Sequence, residues 1–180
     1  MNDFAKYKKR GAYHWREFEK DTTYRKNVLK IKEWIRNGLT LDIGAGDGLI
    51  TSVIDAVGVD NNKLAIDLAR ERGINVIEGD AYNLPFSSDC FDNILMGDVI
   101  EHLKYPEKSL LEVWRILKDK GFLYIVTPPR GDKMDKYHYK EYSSKELIGL
   151  IENNGFKKKE SIEVRNDLRR MYGVFEKQIL

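Results

Sequence analysis

The run Leu39-Thr40-Leu41-Asp42-Ile43 leads directly into Gly44-Ala45-Gly46-Asp47-Gly48. A short apolar segment that ends in three alternating glycines constrains everything around it. It reads as a buried strand that breaks into a tight loop and then enters a helix. Glycine stands where the backbone takes a positive φ or where a ligand comes close. A ligand at such a loop sits outside the carboxyl end of a strand, the place where open α/β sheets bind theirs.

The same alternation continues along the chain. A short helix is expected from Leu49 to Ile54, then a strand over 56–60 that ends in Asp60. Asn61-Asn62 opens a helix over 63–72 that Gly73 closes, and 74–78 is a third strand followed by Gly79-Asp80-Ala81. Residues 91–96 form a fourth strand, with Gly97-Asp98 leading into a helical turn. Leu110, Leu111, Val113, Trp114 and Leu117 make 106–117 an amphipathic helix that Lys120-Gly121 ends. A fifth strand over 122–126 stops at Thr127-Pro128-Pro129. Ser143-Ser144-Lys145-Glu146 is a capping-box pattern for a helix to Asn153, and two strands, 156–164 and 173–178, fit the end. Strands alternating with helices argue for a mostly parallel sheet covered on both faces.

Upstream, Asp21 or Thr22 caps a helix to about Arg36, with Val28, Ile31, Trp34 and Ile35 facing inward. Residues 1–20 combine Lys6, Lys8, Lys9 and Arg10 with Phe4, Tyr7, Tyr13, Trp15 and Phe18. This aromatic cluster is either a lid over the ligand site or packing against the sheet. The chain has 180 residues, which suits one domain with a core of its own. Its one cysteine, Cys90, excludes an internal disulfide and fits a reducing, cytoplasmic setting. No apolar run reaches the ~20 residues of a membrane-spanning helix, and the charged start lacks the apolar stretch of a signal peptide. Lys and Arg outnumber Asp and Glu by 11 to 5 over residues 1–40 and by 7 to 4 over 156–180, whereas 41–155 carry 13 against 20. An acidic middle between basic ends suits a cationic ligand with an anionic substrate at the rim, or it is a matter of solvated helix faces.

The strand ends carry the chemistry. Asp60, 18 residues after Asp42, can accept both hydroxyls of a ribose, although an acid there can equally cap the next helix. Asp80 can take an exocyclic amine. The glycine spacing is G-x-G-x-G, not the dinucleotide G-x-G-x-x-G, and the triphosphate-loop pattern is absent. With no Lys or Arg in the loop and acids beside it, a pyrophosphate is disfavoured. A ligand bearing an ammonium or sulfonium group is favoured.

These residues resemble the class I S-adenosylmethionine-dependent methyltransferases, of the small single-domain, type 11-like kind. Residues 41–48 match the family's first motif, Gly58-Val59-Asp60 the second and Gly79-Asp80-Ala81 the third. Residues 91–96 match the fourth strand and 115–123 the entry to the fifth. The likeness covers about residues 38 to 160. It implies a Rossmann-like α/β fold of seven strands in the order 3-2-1-4-5-7-6, strand 7 antiparallel. The methyltransferase domain is then 38–180, with 1–37 as a helical, aromatic N-terminal segment and possible lid. It further implies S-adenosylmethionine as cofactor. Gly44, Ala45, Gly46 and Gly48 of the loop and the backbone near Gly97 would border its methionine part, Asp60 would hold its ribose hydroxyls, Asp80 and Ala81 would meet its adenine, and Asp42 and Asn61 would be further cofactor-binding residues. The acceptor is read as the O or N of a small molecule. Nucleic acid is the alternative, from the basic ends and interleaved aromatics, although Gly97-Asp98-Val99-Ile100 stands where base-amine methyltransferases carry N-P-P-Y. A non-catalytic binding protein on the same fold is the third reading.

Asp98, Glu101 and His102 fall at i, i+3 and i+4, one face of a helix if the turn is helical, and His138 follows the fifth strand. His102 and His138 are candidate bases. The set of four is similar to the divalent-metal site of small-RNA 2′-O-methyltransferases and to the matching motif of ubiquinone-pathway O-methyltransferases. Those carry Glu where this chain has Asp98. The competing reading is local, since Asp98 and Glu101 have capping-box spacing. Tyr137, Tyr139 and Tyr142 either wall the acceptor pocket or pack a loop.

Overall fold

The computed structural model describes residues 4–131, 137–160, 163–165 and 170–179. The helices are α1 (Phe4–Arg10), α2 (Tyr13–Lys20), α3 (Thr22–Trp34), α4 (Leu49–Val53), α5 (Lys63–Arg70), α6 (Pro106–Ile116) and α7 (Ser144–Glu152). The strands are β1 (Thr40–Ile43), β2 (Val57–Asp60), β3 (Val76–Glu78), β4 (Phe91–Gly97), β5 (Leu117–Thr127), β6 (Phe156–Lys158), β7 (Glu163–Arg165) and β8 (Arg170–Lys177). A 3-10 turn spans Ile100–His102.

The sheet order is β3-β2-β1-β4-β5-β8-β6, with β7 also on β8. The first five strands run parallel, and β8 is antiparallel to β5. This is the expected 3-2-1-4-5-7-6 arrangement with its outermost strand in two pieces. Lys158 lies opposite Phe175 and Glu163 opposite Tyr172, so five residues of the outer strand span three of β8. The mismatch breaks the strand expected over 156–164. Of that stretch, residues 161–162 fall outside the described residues, as do 166–169 and 132–136 of the two connections.

Central strands of such a sheet are buried on both faces. Along β4 and β5, Ile94, Met96, Leu123 and Ile125 face α6 and α7, where Leu110, Val113, Ile116, Leu147 and Ile151 complete one core. Leu95, Tyr124 and Val126 face the other way, against Ile31 of α3, Tyr172 and Val174. Each fully buried Leu or Ile contributes about 1.5–3 kcal/mol to this packing. Trp34 closes edge-on over Tyr124 and Tyr172, at 5.4 Å from each ring.

The caps were legible. Asp21 accepts from the amides of Thr23 and Tyr24, and Ser143 with Glu146 forms the full capping box. Two expectations are corrected. The sixth helix ends at Ile116 because Leu117 is already extended and pairs with Phe91, so β5 begins there; Lys120, at φ +61°, and the register slip between Phe91 and Asn93 lie inside the strand. Lys120-Gly121 is therefore an irregularity inside a strand rather than a helix stop. Nor does Asp98 share a helical face with Glu101 and His102. It sits at φ +54°, before the 3-10 turn, and its side chain caps nothing there. No helix among the described residues is long and apolar enough to cross a membrane.

Candidate active site

A cavity of about 590 Å³ opens at the carboxyl ends of β1, β2 and β4. Its floor is the glycine loop. Gly44 and Gly46 hold φ +76° and +56°, and a Cβ at Gly46 would collide with the Tyr7 hydroxyl. The amides of Gly44 and Ala45 both donate to the carbonyl of Val59, at 2.8 and 3.1 Å. The amide of Gly46 donates to Asp60 Oδ2 at 2.8 Å. Three donors that a phosphate would need are thus spent within the protein, and carboxylates lie beside them. The wall fits a cation better than a pyrophosphate.

Asp42 is fully buried, accepts from Thr51 Oγ1 at 2.7 Å, and is pushed up to about 7 by burial, with Asp60 adding to the rise. Asp60 lies at the end of β2. Its Oδ1 accepts from the Asn62 amide at 2.7 Å, and burial raises its pKa. Asn62, not Asp60, caps α5 through the Ala65 amide, so the capping alternative for Asp60 does not hold. Asn61, Ala81 and Gly97 line the cavity alongside these groups. Gly48 and Asp80 lie outside its wall. Gly48 starts α4, and exposed Asp80 accepts from the Tyr82 amide in a local turn.

At the other end, Glu101, His102 and His138 bring ligand atoms within 4.8 Å of one another. Asp98, the fourth residue read into this set, turns instead to Arg170, which meets its two carboxylate oxygens at 2.8 and 3.0 Å. Glu101 is 1% exposed. Its Oε2 accepts from Thr127 Oγ1 at 3.0 Å, while Oε1 is buried without a hydrogen bond. Burial, reinforced by the charge of Asp98, pushes the Glu101 carboxyl up to about 8. His102 Nδ1 lies 3.2 Å from the Tyr137 carbonyl, to which it donates, and its ring meets that of His138 edge-on at 4.7 Å. Tyr137 lines the cavity, Tyr142 is buried in the core and Tyr139 is exposed.

The roof is built by α1, α2 and α3, which sequence patterning left undecided between lid and packing. Asp47 is completely buried beneath it. Its carboxylate accepts from the His14 backbone at 3.0 Å and from His14 Nδ1 at 3.1 Å, and its carbonyl accepts from Trp15 Nε1 at 3.0 Å. Tyr7 Oη lies 3.3 Å from the same His14 nitrogen, and Tyr24 stacks on the ring. The aromatic density of residues 1–20 was the one signal for this roof; the pairing of His14 with Asp47 had none.

A family model described as a methyltransferase domain matches residues 41–125. An uncharacterized protein of Methanocaldococcus jannaschii is 31% identical over 170 residues, covering 87% of this chain and 82% of its own. A rice chloroplastic 2-methyl-6-phytyl-1,4-hydroquinone methyltransferase is 31% identical over 64% of this chain, but the match spans only 37% of that longer protein. Among solved structures, a Thermotoga maritima SAM-dependent methyltransferase, described as a possible histamine N-methyltransferase, superposes with TM-score 0.80 at 23% identity over 97% of this chain and 100% of its own. With the ordered strand-end motifs and the 3-2-1-4-5-7-6 sheet, these matches place the chain in the class I S-adenosylmethionine-dependent methyltransferases.

Proposed function

We propose that the protein transfers the methyl group of S-adenosylmethionine to an oxygen or nitrogen of a small molecule, with His102 as the base. The observation that carries this reading is the contact of His102 Nδ1 with the Tyr137 carbonyl, which can only accept. The Nδ1–H is engaged by that carbonyl, which leaves the Nε2 lone pair to take a proton at the cavity wall. S-adenosylmethionine supplies an already activated methyl, passed to the acceptor by in-line displacement. The protein's part is to align the acceptor and remove its proton. Asp60 and Asn61 hold the ribose, the Ala81 backbone borders the adenine, and the backbones of Gly44 and Gly97 border the methionine end. His138 stands beside the acceptor. A cavity of about 590 Å³ under a three-helix roof suits a small acceptor, as does the small-molecule substrate in the rice relative's name.

The second reading uses the same residues. The unpartnered Oε1 of Glu101, with His102 and His138 close by, fits a divalent cation such as Mn, Fe or Zn, whose preference for mixed nitrogen and oxygen ligands matches the set. A metal there would polarise an acceptor hydroxyl in place of the His102 base.

The test is transfer of radiolabelled methyl from S-adenosylmethionine to a panel of phenols, amines and RNA, with and without chelator. Labelling of a phenol or amine, unaffected by chelator and lost in His102→Gln, is expected. Loss of activity with chelator and recovery with Mn would favour the metal. Labelling of RNA alone would transfer the assignment to a nucleic-acid acceptor, and no labelled product in a cell lysate would leave a binding protein.

A further inference from the structure

The wall that carries Glu101 and His102 begins at a strained residue. The amide of Asp98 still continues the sheet, donating to the Val126 carbonyl at 2.8 Å, and the chain then bends at φ +54°. Side chains other than glycine's seldom take that conformation, and it persists where neighbours hold it. The direction in which the chain leaves Asp98 sets where the following turn lies. Val99 seats on the glycine loop so closely that a Cβ on Gly44 would fall 2.4 Å from its Cγ2. The Val99 carbonyl accepts from the His102 amide at 2.9 Å, and Ile100 is buried in the core. The Glu101 carbonyl accepts from the Tyr139 amide at 2.8 Å, which brings the loop after β5 against the turn and the Tyr137 carbonyl to His102 Nδ1. The middle and far end of the turn thus have partners of their own, and its entry lies at Asp98.

Arg170, the first residue of β8, grips that entry. Its Nε lies 2.8 Å from Asp98 Oδ1, and its Nη2 donates to Oδ2 at 3.0 Å. A two-point grip fixes the plane of a carboxylate as well as its position, which a lysine ammonium does not. The base of the grip is firm, because β8 pairs with the end of β5, Met171 opposite Thr127, and Thr127 Oγ1 meets Glu101 Oε2. Asp98 caps nothing in the 3-10 turn, so its side chain bears on the backbone there through Arg170.

We propose that Arg170 is a positioning residue for His102: by gripping Asp98 from β8 it holds the left-handed bend that aims the 3-10 turn, and with it the imidazole, into the cavity. That His102 acts as the base is the reading above. The hold of Arg170 on the turn is tested without it.

The test is imidazole ¹H–¹⁵N NMR of the full chain, without cofactor or acceptor, the His102 ring being assigned by its loss in His102→Gln. Wild type is expected to show Nδ1–H at His102. In Arg170→Gln the ratio of Nδ1–H to Nε2–H is expected to fall about tenfold, the scale of one charge-assisted hydrogen bond. Two double variants separate backbone from charge. Asp98→Gly removes the carboxylate and takes a positive φ freely, whereas Asp98→Ala removes the carboxylate and resists that φ. In the Arg170→Gln background, glycine is expected to restore the ratio to within about twofold of wild type and alanine to leave it low. Equal rescue by both would mean that Arg170 only neutralises Asp98, and an unchanged ratio in Arg170→Gln would mean that the turn holds itself. Either result overturns the proposal. Arg170→Lys carries the same comparison if the glutamine variant does not fold. Turnover of a phenol or amine labelled by the wild type is expected to follow the same order as the ratio. A wild type with Nε2–H at His102 would remove the base reading, and turnover that stays flat while the ratio moves would overturn the positioning role.

Discussion

At the ends of β1 and β2 the cavity wall closes on itself. Asp60 holds the Gly46 and Asn62 amides, Val59 holds Gly44 and Ala45, and Asp42 holds the Thr51 hydroxyl. Near the ends of β4 and β5 the wall is left open-ended. Glu101 keeps an unpartnered buried oxygen, two imidazoles meet edge-on, and Asp98 takes a backbone conformation that few non-glycine residues adopt. The first half is preorganised, which suits the one proposed ligand whose shape does not vary. The second keeps unsatisfied polarity and backbone strain, as functional sites commonly do, and is the place where the proposed acceptor would bind. The two halves should therefore respond differently to substitution.

The largest contrast is expected from His102→Gln. Loss of a general base lowers kcat by roughly 10²–10⁴-fold, while the dissociation constant of S-adenosylmethionine stays unchanged by calorimetry. An equal fall in cofactor affinity would merge the two halves. Asp42 sharpens the contrast through pH. Its folded-state pKa of about 7 lies above the ordinary carboxylate value of 3.8, so the native state holds the proton more tightly than the unfolded chain. That stabilisation is complete below about pH 4 and is lost as pH rises through 7, at about 1.4 kcal/mol per unit, to a ceiling of about 4 kcal/mol. Asp42→Asn removes this dependence. Urea unfolding at pH 5 and pH 8 should show wild type losing more stability than the variant, and equal losses would contradict the burial of this carboxylate.

Asp60→Ala should weaken S-adenosylmethionine about 100-fold, since it removes a proposed ribose contact and frees two loop amides, each charged hydrogen bond being worth ~1.5–3 kcal/mol. Its turnover at saturating cofactor should fall far less. The smallest effect is expected from Gly46→Ala. The φ of +56° and the Tyr7 hydroxyl beside the new Cβ together cost about 1–3 kcal/mol of stability, read from the urea midpoint. An unchanged midpoint would mean that the roof does not rest on the loop.

The same division governs how far the sequence could be read. The cofactor half declares itself because each element is local: an apolar run, a glycine turn and an acid at a strand end lie within a few residues of one another. The roof and the β4 end depend on contacts between distant segments. His14 of the roof and Asp47 of the glycine loop are 33 positions apart, and at the β4 end Asp98 and Arg170 are 72 apart. Spacing alone put Asp98 on a helical face with Glu101 and His102, and the positive φ that interrupts that helix leaves only a weak mark, the tolerance of Asp for that conformation. Glu101, His102 and His138 still converge, because the 3-10 turn and the loop after β5 border one crevice. The split outer strand was illegible for a similar reason, since its two-residue excess over β8 is a property of pairing.

The central claim is that this cavity binds S-adenosylmethionine, and calorimetric titration of the purified, chelator-treated protein with that compound tests it most directly. One site of micromolar affinity, lost in Asp60→Ala, is the expected result. No detectable binding by the folded wild type, with or without added Mn, would contradict it.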